Sequence, residues 1–167
     1  SPVAASATCT SALSDNTPTS RHTYDGLTYI AHLDQLEASN GALAPCGYAK
    51  SDTWNFGFST GTWSLATNAS PVVGYGVMTV YDPVTKLVYV KDGPNFFSHS
   101  PDTNVYVKLN AQDQNVDYHL SAAIDSKRRK FVMIGNGVQV IDLVTRQMTN
   151  LATMNEPELV RAQQAPG

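Results

Sequence analysis

The chain has 167 residues, of which 42% are hydrophobic and 15% charged, with a formal net charge of -3 at pH 7. That length and composition suit one domain with a core of ordinary size. The few charges and their negative balance argue against nucleic acid or a basic membrane contact, and no apolar run approaches the roughly 20 residues that cross a bilayer.

Residues 1–19 show no hydrophobic periodicity. We interpret them as a leader or linker without regular structure, following a removed signal or an upstream domain. Cys9 lies in this leader and Cys46 in a later loop, and a disulfide between them would tether the leader, whereas two unrelated thiols are the alternative. A disulfide and the low charge would fit an extracellular or periplasmic protein.

From residue 20 onward a pattern recurs three times. A short strand ends at a turn aspartate (Asp25, Asp82 and Asp125, which are 57 and 43 residues apart), an apolar strand follows, and two more strands complete the unit. The expected third strands are residues 54–58, 105–109 and 138–142, and residues 143–148 are expected to form the last fourth strand. This spacing is typical of four-stranded antiparallel units.

Turn residues support the repeat. Asp25-Gly26 predicts a two-residue hairpin turn, because glycine accepts positive φ, and Asp82-Pro83-Val84-Thr85 predicts a longer turn. The second strands are apolar on both faces, which predicts units stacked face to face. Only residues 33–39 and 156–162 could form helical turns.

The most informative stretch is residues 52–63. Trp54, Phe56 and Phe58 alternate, which predicts three rings on one face of a strand, and a turn at residues 59–61 leads to Trp63 in a second strand. With Asp52 and Gly61, this hairpin resembles the Kelch repeat signature. Paired glycines expected after the second strand are missing, so the resemblance is to a divergent, galactose-oxidase-like β-propeller.

The resemblance implies an all-β protein of antiparallel four-stranded Kelch-like blades over residues 20–66, 72–118 and 119–153, with a tail at 154–167 leading toward a further blade. A β-sandwich is the alternative. Because propellers close with about four to eight blades, three require completion. The expected partners are further blades of a longer chain or other protein chains; two copies would give six blades.

No motif predicts catalysis. Residues 57–61 match G-x-S-x-G. The nucleophile elbow requires a helix after this motif, but the sequence predicts a strand there. Asp113, Asn115 and Asp117 begin like a calcium loop, yet Tyr118 and Ile124 replace its glycine and glutamate, which leaves at most a loose structural cation site.

The four histidines, His22, His32, His99 and His119, lack metal-ligand spacing. Cys46 shows no match to the cysteine of a galactose-oxidase copper site. We therefore name no catalytic residue, no metal ligand and no cofactor, and we interpret the basic run at residues 127–130 as a solvated turn.

Residues 95–99 read as a loop with two adjacent aromatics. One ring would be exposed to a glycan or a protein, unless the neighbouring blade buries both. Phe96, Phe97, His99 and His119 are accordingly the candidate binding residues. The function we expect is a non-catalytic binding or assembly module; part of a carbohydrate-active or oxidase-type enzyme, with its site on other blades, is the alternative.

Overall fold

A computed structural model describes residues 9–67, 69–72, 74–109, 120–135 and 137–151. Within these ranges the chain is all-β and contains no helix. The strands are β1 (Arg21–His22), β2 (Leu27–Ile30), β3 (Gln35–Ser39), β4 (Ala42–Leu43), β5 (Thr53–Gly57), β6 (Thr62–Thr67), β7 (Met78–Asp82), β8 (Leu87–Asp92), β9 (Asn95–Ser100), β10 (Val105–Lys108), β11 (Ser121–Asp125), β12 (Lys130–Gly135), β13 (Gly137–Asp142) and β14 (Met148–Leu151).

The strands form three four-stranded antiparallel sheets, which confirms the predicted fold class. The first sheet has the order β2-β3-β5-β6, the second β7-β8-β9-β10, and the third β11-β12-β13-β14. A small fourth sheet pairs β1 with β4. Each large sheet is a simple meander, so every connection within it is a hairpin or a longer loop at one of its two ends.

One kind of hairpin turn recurs through all three sheets. It has four residues, and the fourth adopts positive φ, at Asp34, Gly61, Lys86, Asn104, Arg129 and Arg146. Aspartates at the strand ends stabilise two of the turns: Asp82 accepts backbone N–H bonds from Val84 and Thr85, and Asp142 does the same for the equivalent turn of the third sheet. This confirms the predicted turn at Asp82-Pro83-Val84-Thr85.

The second sheet lies between the other two, so β8 is buried on both faces as predicted, whereas β2 and β12, for which the same was predicted, each leave one face partly exposed. Val88, Val90 and Phe97 pack toward Ile30 of the first sheet, and we call this contact the first joint. On the opposite face, Tyr89 and Phe96 pack toward the third sheet, in the second joint, whose members are Met78, Tyr89, Phe96, Leu120, Phe131, Met133, Ile141 and Leu143.

Asp25 links all three sheets where their first strands meet. Its carbonyl oxygen accepts the backbone N–H of Thr79 in β7 at 3.0 Å. Its carboxylate Oδ2 accepts the backbone N–H of Ala122 in β11 at 2.8 Å. Both donors lie on strands at sheet edges, where N–H groups otherwise lack partners, so one residue satisfies donors of two sheets, one with its backbone carbonyl and one with its carboxylate.

The first sheet begins later than expected. Residues 22–25 are not its first strand: β2 is the first strand, and β3 forms where a helical turn was predicted. The helical prediction overlooked the alternation of polar and apolar residues along residues 35–39, and pairing with β2 and β5 on both sides imposes the extended conformation.

The prediction of a two-residue hairpin turn at Asp25-Gly26 is also wrong. Gly26 leads into β2, and glycine is needed there because a Cβ atom would lie 2.6 Å from the carbonyl oxygen of Ser39. The close approach of two backbones explains this glycine, rather than a type I′ turn.

Strand assignments in the other sheets need smaller corrections. Residues 95–99 form β9, the third strand of the second sheet, and the strand predicted to be third is β10, the fourth. In the third sheet, β11, β12 and β13 lie where expected, but residues 143–146 form a turn and β14 follows it. Polar residues in β9 suggested a loop, although two of them, Ser98 and His99, are buried.

Candidate functional site

The outward side of the first sheet carries a row of large apolar side chains. Cross-strand pairing places Tyr29, Leu36, Phe56 and Trp63 side by side across all four strands. We call this surface the aromatic face; it comprises Leu27, Tyr29, Leu36, Phe56, Trp63 and Leu65, with Phe58 in the adjoining turn.

The rings of the aromatic face contact one another without being covered. Phe58 lies edge-on to both Tyr29 and Phe56, with ring centroids 5.8 and 5.5 Å apart, and Phe56 lies 5.3 Å from Trp63. Tyr29 remains 49% exposed and Phe58 51%. The Tyr29 hydroxyl donates to Asp34 at 2.8 Å, and this hydrogen bond to a carboxylate raises the pKa of the phenol.

The leader covers one end of this face. The predicted Cys9–Cys46 disulfide is present, with Cα atoms 5.7 Å apart. Arg21 forms an ion pair with Asp52 at 2.6 Å, and Asp52 also accepts the indole N–H of Trp54, which is buried. Between leader and sheet lies a cavity of about 300 Å³, lined by Pro18, Thr19, Ser20, Arg21, Thr23, Leu27, Leu36, Ala38 and Trp63.

The outward side of the third sheet is a second apolar surface. Val132 pairs with Ala123 and Val140 across the central strands, and Ile134 pairs with Val138. We call this surface the aliphatic face; it comprises Ala123, Val132, Ile134, Val138, Val140 and Leu151. Ile134 is 40% exposed and Leu151 48%.

The two faces are opposite sides of one repeated contact. Counting back from the first turn of each sheet, Tyr29, Tyr81 and Ile124 are equivalent. Tyr81 packs into the first joint and Ile124 into the second, so the second and third sheets each bury this side against the preceding sheet. Only the first sheet leaves it uncovered.

Connecting segments repeat in the same way. Val72, in the link between the first and second sheets, is buried in the first joint, and Leu109 and Leu120, which flank the next link, pack in the second joint. The leader lies over the aromatic face in the equivalent position. It therefore resembles a link that crosses a joint rather than a detached tail.

The first joint contains a buried polar cluster. Glu37 and His99 are fully buried, with Oε2 and Nδ1 3.1 Å apart, and the Ser39 hydroxyl donates to Glu37. Tyr106 stacks on His99 at 4.1 Å and hydrogen-bonds Thr53. Burial raises the pKa of Tyr106 to about 12, and the charge of Glu37 adds to the shift.

The geometry of this cluster is incomplete. The angle between Glu37 and His99 is not that of a hydrogen bond, so neither imidazole nitrogen has a hydrogen-bond partner in the described part of the chain. Glu37 and His99 are closed to solvent, so neither can meet a substrate as the joint stands, whereas Tyr106 is half-buried.

The predicted binding residues do not gather at one surface. Phe96 and Phe97 lie in β9, 0% and 5% exposed, on opposite faces of the second sheet. His99 belongs to the buried cluster, and His119 lies outside the described residues. The expected exposed aromatic of residues 95–99 is thus replaced by two core rings, because both faces of β9 are covered.

The Kelch-like signature residues have structural positions. Asp52 binds Arg21 and the indole of the buried Trp54, Phe56 and Trp63 belong to the aromatic face, and Gly61 supplies positive φ in the β5–β6 turn. The predicted hairpin is confirmed, with Phe58 in its turn. Ser59 lies in the same turn, and the strand β6 follows where a nucleophile elbow needs a helix.

No cluster of three His, Cys, Asp or Glu side chains suited to a metal ion occurs among the described residues. The calcium-like residues Asp113, Asn115 and Asp117 lie outside them. Nor do the described ranges contain a helix long and apolar enough to span a membrane.

Sequence reasoning missed Tyr29, Leu36 and Glu37. Alternation along residues 27–30 was available as a signal. These residues were predicted to form the second strand of the sheet, whereas β2 is its first strand, at the edge. Comparison with known proteins adds no relative: no family model matches the sequence, and no curated protein matches it.

Proposed function

We propose that this chain is a segment of a Kelch-like β-propeller that acts as a non-catalytic assembly module, with further four-stranded sheets packing on its aromatic and aliphatic faces. The observation that carries this proposal is the exposed aromatic face. Its equivalents in the second and third sheets are buried against a preceding sheet, whereas here the same side, richer in large rings, is open.

The arrangement of the sheets supports a propeller. All three sheets are meanders, their first strands lie next to one another, and each sheet stacks on the next by the same pair of faces. Repetition of such a contact around an axis generates a propeller, and only full closure covers the faces of the terminal sheets.

Energetics favour covering these faces. Burying one large apolar side chain contributes about 1.5–3 kcal/mol, and contiguous exposed apolar patches on soluble proteins usually mark interaction sites. The surface around the aromatic face carries few free charges, since Asp34 and Asp52 are already bonded to Tyr29 and Arg21. A contact that excludes water from this face would therefore bury few unpaired charges.

The disulfide supports a location outside the cytosol. Such bonds persist in secreted and periplasmic proteins, where the environment is oxidising. Cys9–Cys46 fixes the leader against the first sheet, so an extracellular or periplasmic module would keep this edge of the aromatic face in place.

Hydroxyl-radical footprinting tests the proposal. The native protein, isolated from its source without denaturation, is compared with the 167-residue chain at high dilution. We expect Tyr29, Phe58 and Leu65 to be protected only in the native material, whereas the exposed Tyr48 and Val144, which lie off both faces, react equally in both samples. Equal labelling of Phe58 and Tyr48 in native protein would contradict an assembly role.

A glycan platform is a second candidate, favoured by the exposed Tyr29 and Phe58 rings beside the Asp34 carboxylate. Sugar faces stack on such rings while carboxylates accept their hydroxyl groups. In that case, protection of Tyr29 and Phe58 in the 167-residue chain would appear on adding an oligosaccharide and would not require another polypeptide.

A further inference from the structure

The chain exposes both of the sheet surfaces that would be needed to form one more joint of the kind already present between its sheets. In the first and second joints, the later sheet contributes its Tyr81 or Ile124 side, and the earlier sheet contributes the opposite side. One half of each kind is left uncovered: the aromatic face on the first sheet and the aliphatic face on the third. The two uncovered faces are complementary, because a third sheet stacked on the first sheet of another copy would bring together the same two sides of the sheets as the first and second joints do.

We propose that the occupant of the aromatic face is a second copy of this chain, bound by its aliphatic face. Two copies related by a two-fold axis would then make two identical joints and a closed ring of six sheets. This inference rests on the proposed assembly function. Six sheets lie within the range of about four to eight over which propellers close, and a head-to-tail contact closes when its rotations complete a circle.

The side chains of the two faces suit each other. The second joint combines rings with aliphatic groups: Phe96 meets Phe131 at 5.2 Å, and Met133 and Ile141 belong to the same core. The proposed joint would place the rings of the aromatic face against small and β-branched side chains, which leave space for rings between them.

Charges at the corner of the joint can also be matched. In the second joint, Asp82 at the end of β7 pairs with Arg129, the fourth residue of the next sheet's first turn, at 2.6 Å. The equivalent residues in the proposed joint are Asp125 and Asp34. Asp125 already binds Arg128 at 2.8 Å, and Arg128 is 74% exposed, so its guanidinium can contact the second carboxylate as well.

Sedimentation of the 167-residue chain tests the second copy. We expect a dimer of twice 18.0 kDa at about 100 µM, a concentration at which a specific interface of standard size associates. Leu65→Lys on the aromatic face and Ile134→Glu on the aliphatic face should each give monomers, because each change damages both joints of the ring. Both residues are substantially exposed, so near-UV circular dichroism should show an unchanged monomer fold.

Mixing the two variants tests the head-to-tail order. A mixed pair keeps one undamaged joint, so we expect it to associate at least about tenfold more tightly than either variant alone. Val84→Lys and Val144→Glu, in exposed turns away from both faces, are matched controls that should sediment as the wild type does.

Three results would overturn the inference. The wild-type chain could remain a monomer at about 100 µM, well above the dissociation constants of specific interfaces. The Ile134→Glu variant could dimerise normally while Leu65→Lys does not, which would mean that two aromatic faces pair with each other. The mixture could associate no better than its components. Footprinting protection in native protein would then still support assembly, with a different sheet as the occupant.

Discussion

The two joints of this molecule share one backbone arrangement but differ in chemistry. Rings and aliphatic side chains fill the second joint, with Phe96, Phe131 and Ile141 all fully buried. The first joint also buries polar groups, with Glu37 and His99 fully buried beside its apolar side chains. Stacking of these sheets therefore does not depend on one type of core.

The difference has an energetic consequence. Apolar contacts stabilise in proportion to the area they remove from water, and they tolerate small shifts between sheets. Buried polar and charged groups stabilise only in a particular arrangement, so a shifted first joint would separate the Glu37 carboxylate from the His99 imidazole 3.1 Å away. We infer that the second joint contributes more stability and the first joint specifies the alignment of its two sheets.

The largest expected effect comes from Phe131→Ala in the second joint. Removing this fully buried ring should lower the free energy of unfolding by about 3–5 kcal/mol, because the ring's burial is lost and a cavity remains. Urea unfolding at low protein concentration measures the change. Phe58→Ala, at an exposed ring, is the matched control and should alter stability by less than about 0.5 kcal/mol. Similar losses for both variants would contradict the assignment of the core.

An intermediate effect is expected from Glu37→Gln in the first joint. Glutamine keeps the shape and can still accept from Ser39, but it removes the charge facing His99, which should cost about 1–3 kcal/mol. His99→Gln should cost a similar amount. The double variant should lose less than the sum of the two, because the second change no longer strands a partner.

A pair of substitutions in different joints is the control for the double-mutant comparison of Glu37 and His99. Combining Glu37→Gln with Phe131→Ala joins changes in different joints, and their effects on the free energy of unfolding should add to within about 0.5 kcal/mol. If Glu37 and His99 also added without coupling, the two side chains would not interact in the first joint.

How much of this could be predicted from the sequence differs between the sheets. Alternation and turn aspartates located β11, β12 and β13, because the third sheet has short connections and regular apolar strands. The prediction failed at β3, where the alternation of residues 35–39 was overlooked although its polar residue Glu37 is buried, and at β9, where the polar residues Ser98 and His99 are buried without alternation. Partners in another sheet decide whether such residues are buried, and those partners are distant in sequence.

The aromatic face was predicted only in part. Trp54, Phe56 and Phe58 were predicted to share one face of a strand, and the structure separates them: Trp54 is buried, Phe56 is half-buried, and Phe58 is exposed in the adjoining turn. Tyr29 joins Phe56 and Phe58 from β2, and only the strand register shows this. Register depends on the pairing of whole strands, which local patterns do not determine.

The smallest expected effect concerns Asp25, where the first strands of all three sheets meet. Burial raises the pKa of this carboxyl to about 6, although the bond from the Ala122 N–H acts in the opposite direction. The folded state then holds the proton more tightly than the unfolded state, in which an aspartate titrates near 3.8. Stability conferred by the protonated carboxyl is therefore complete below about pH 4 and is lost as pH rises through about 6.

Asp25→Asn separates this contribution from the other titrating groups. Asparagine can still accept the Ala122 N–H but cannot ionise, so the variant should lack this part of the pH dependence. We expect the wild type to lose stability relative to the variant between pH 4 and 6, as measured by urea unfolding at closely spaced pH values. If the difference between the two proteins stayed constant over that range, Asp25 would not be buried among the three sheets. A difference that instead grew in favour of the wild type as pH rose would mean that the ionised carboxylate is the form that holds the sheets together.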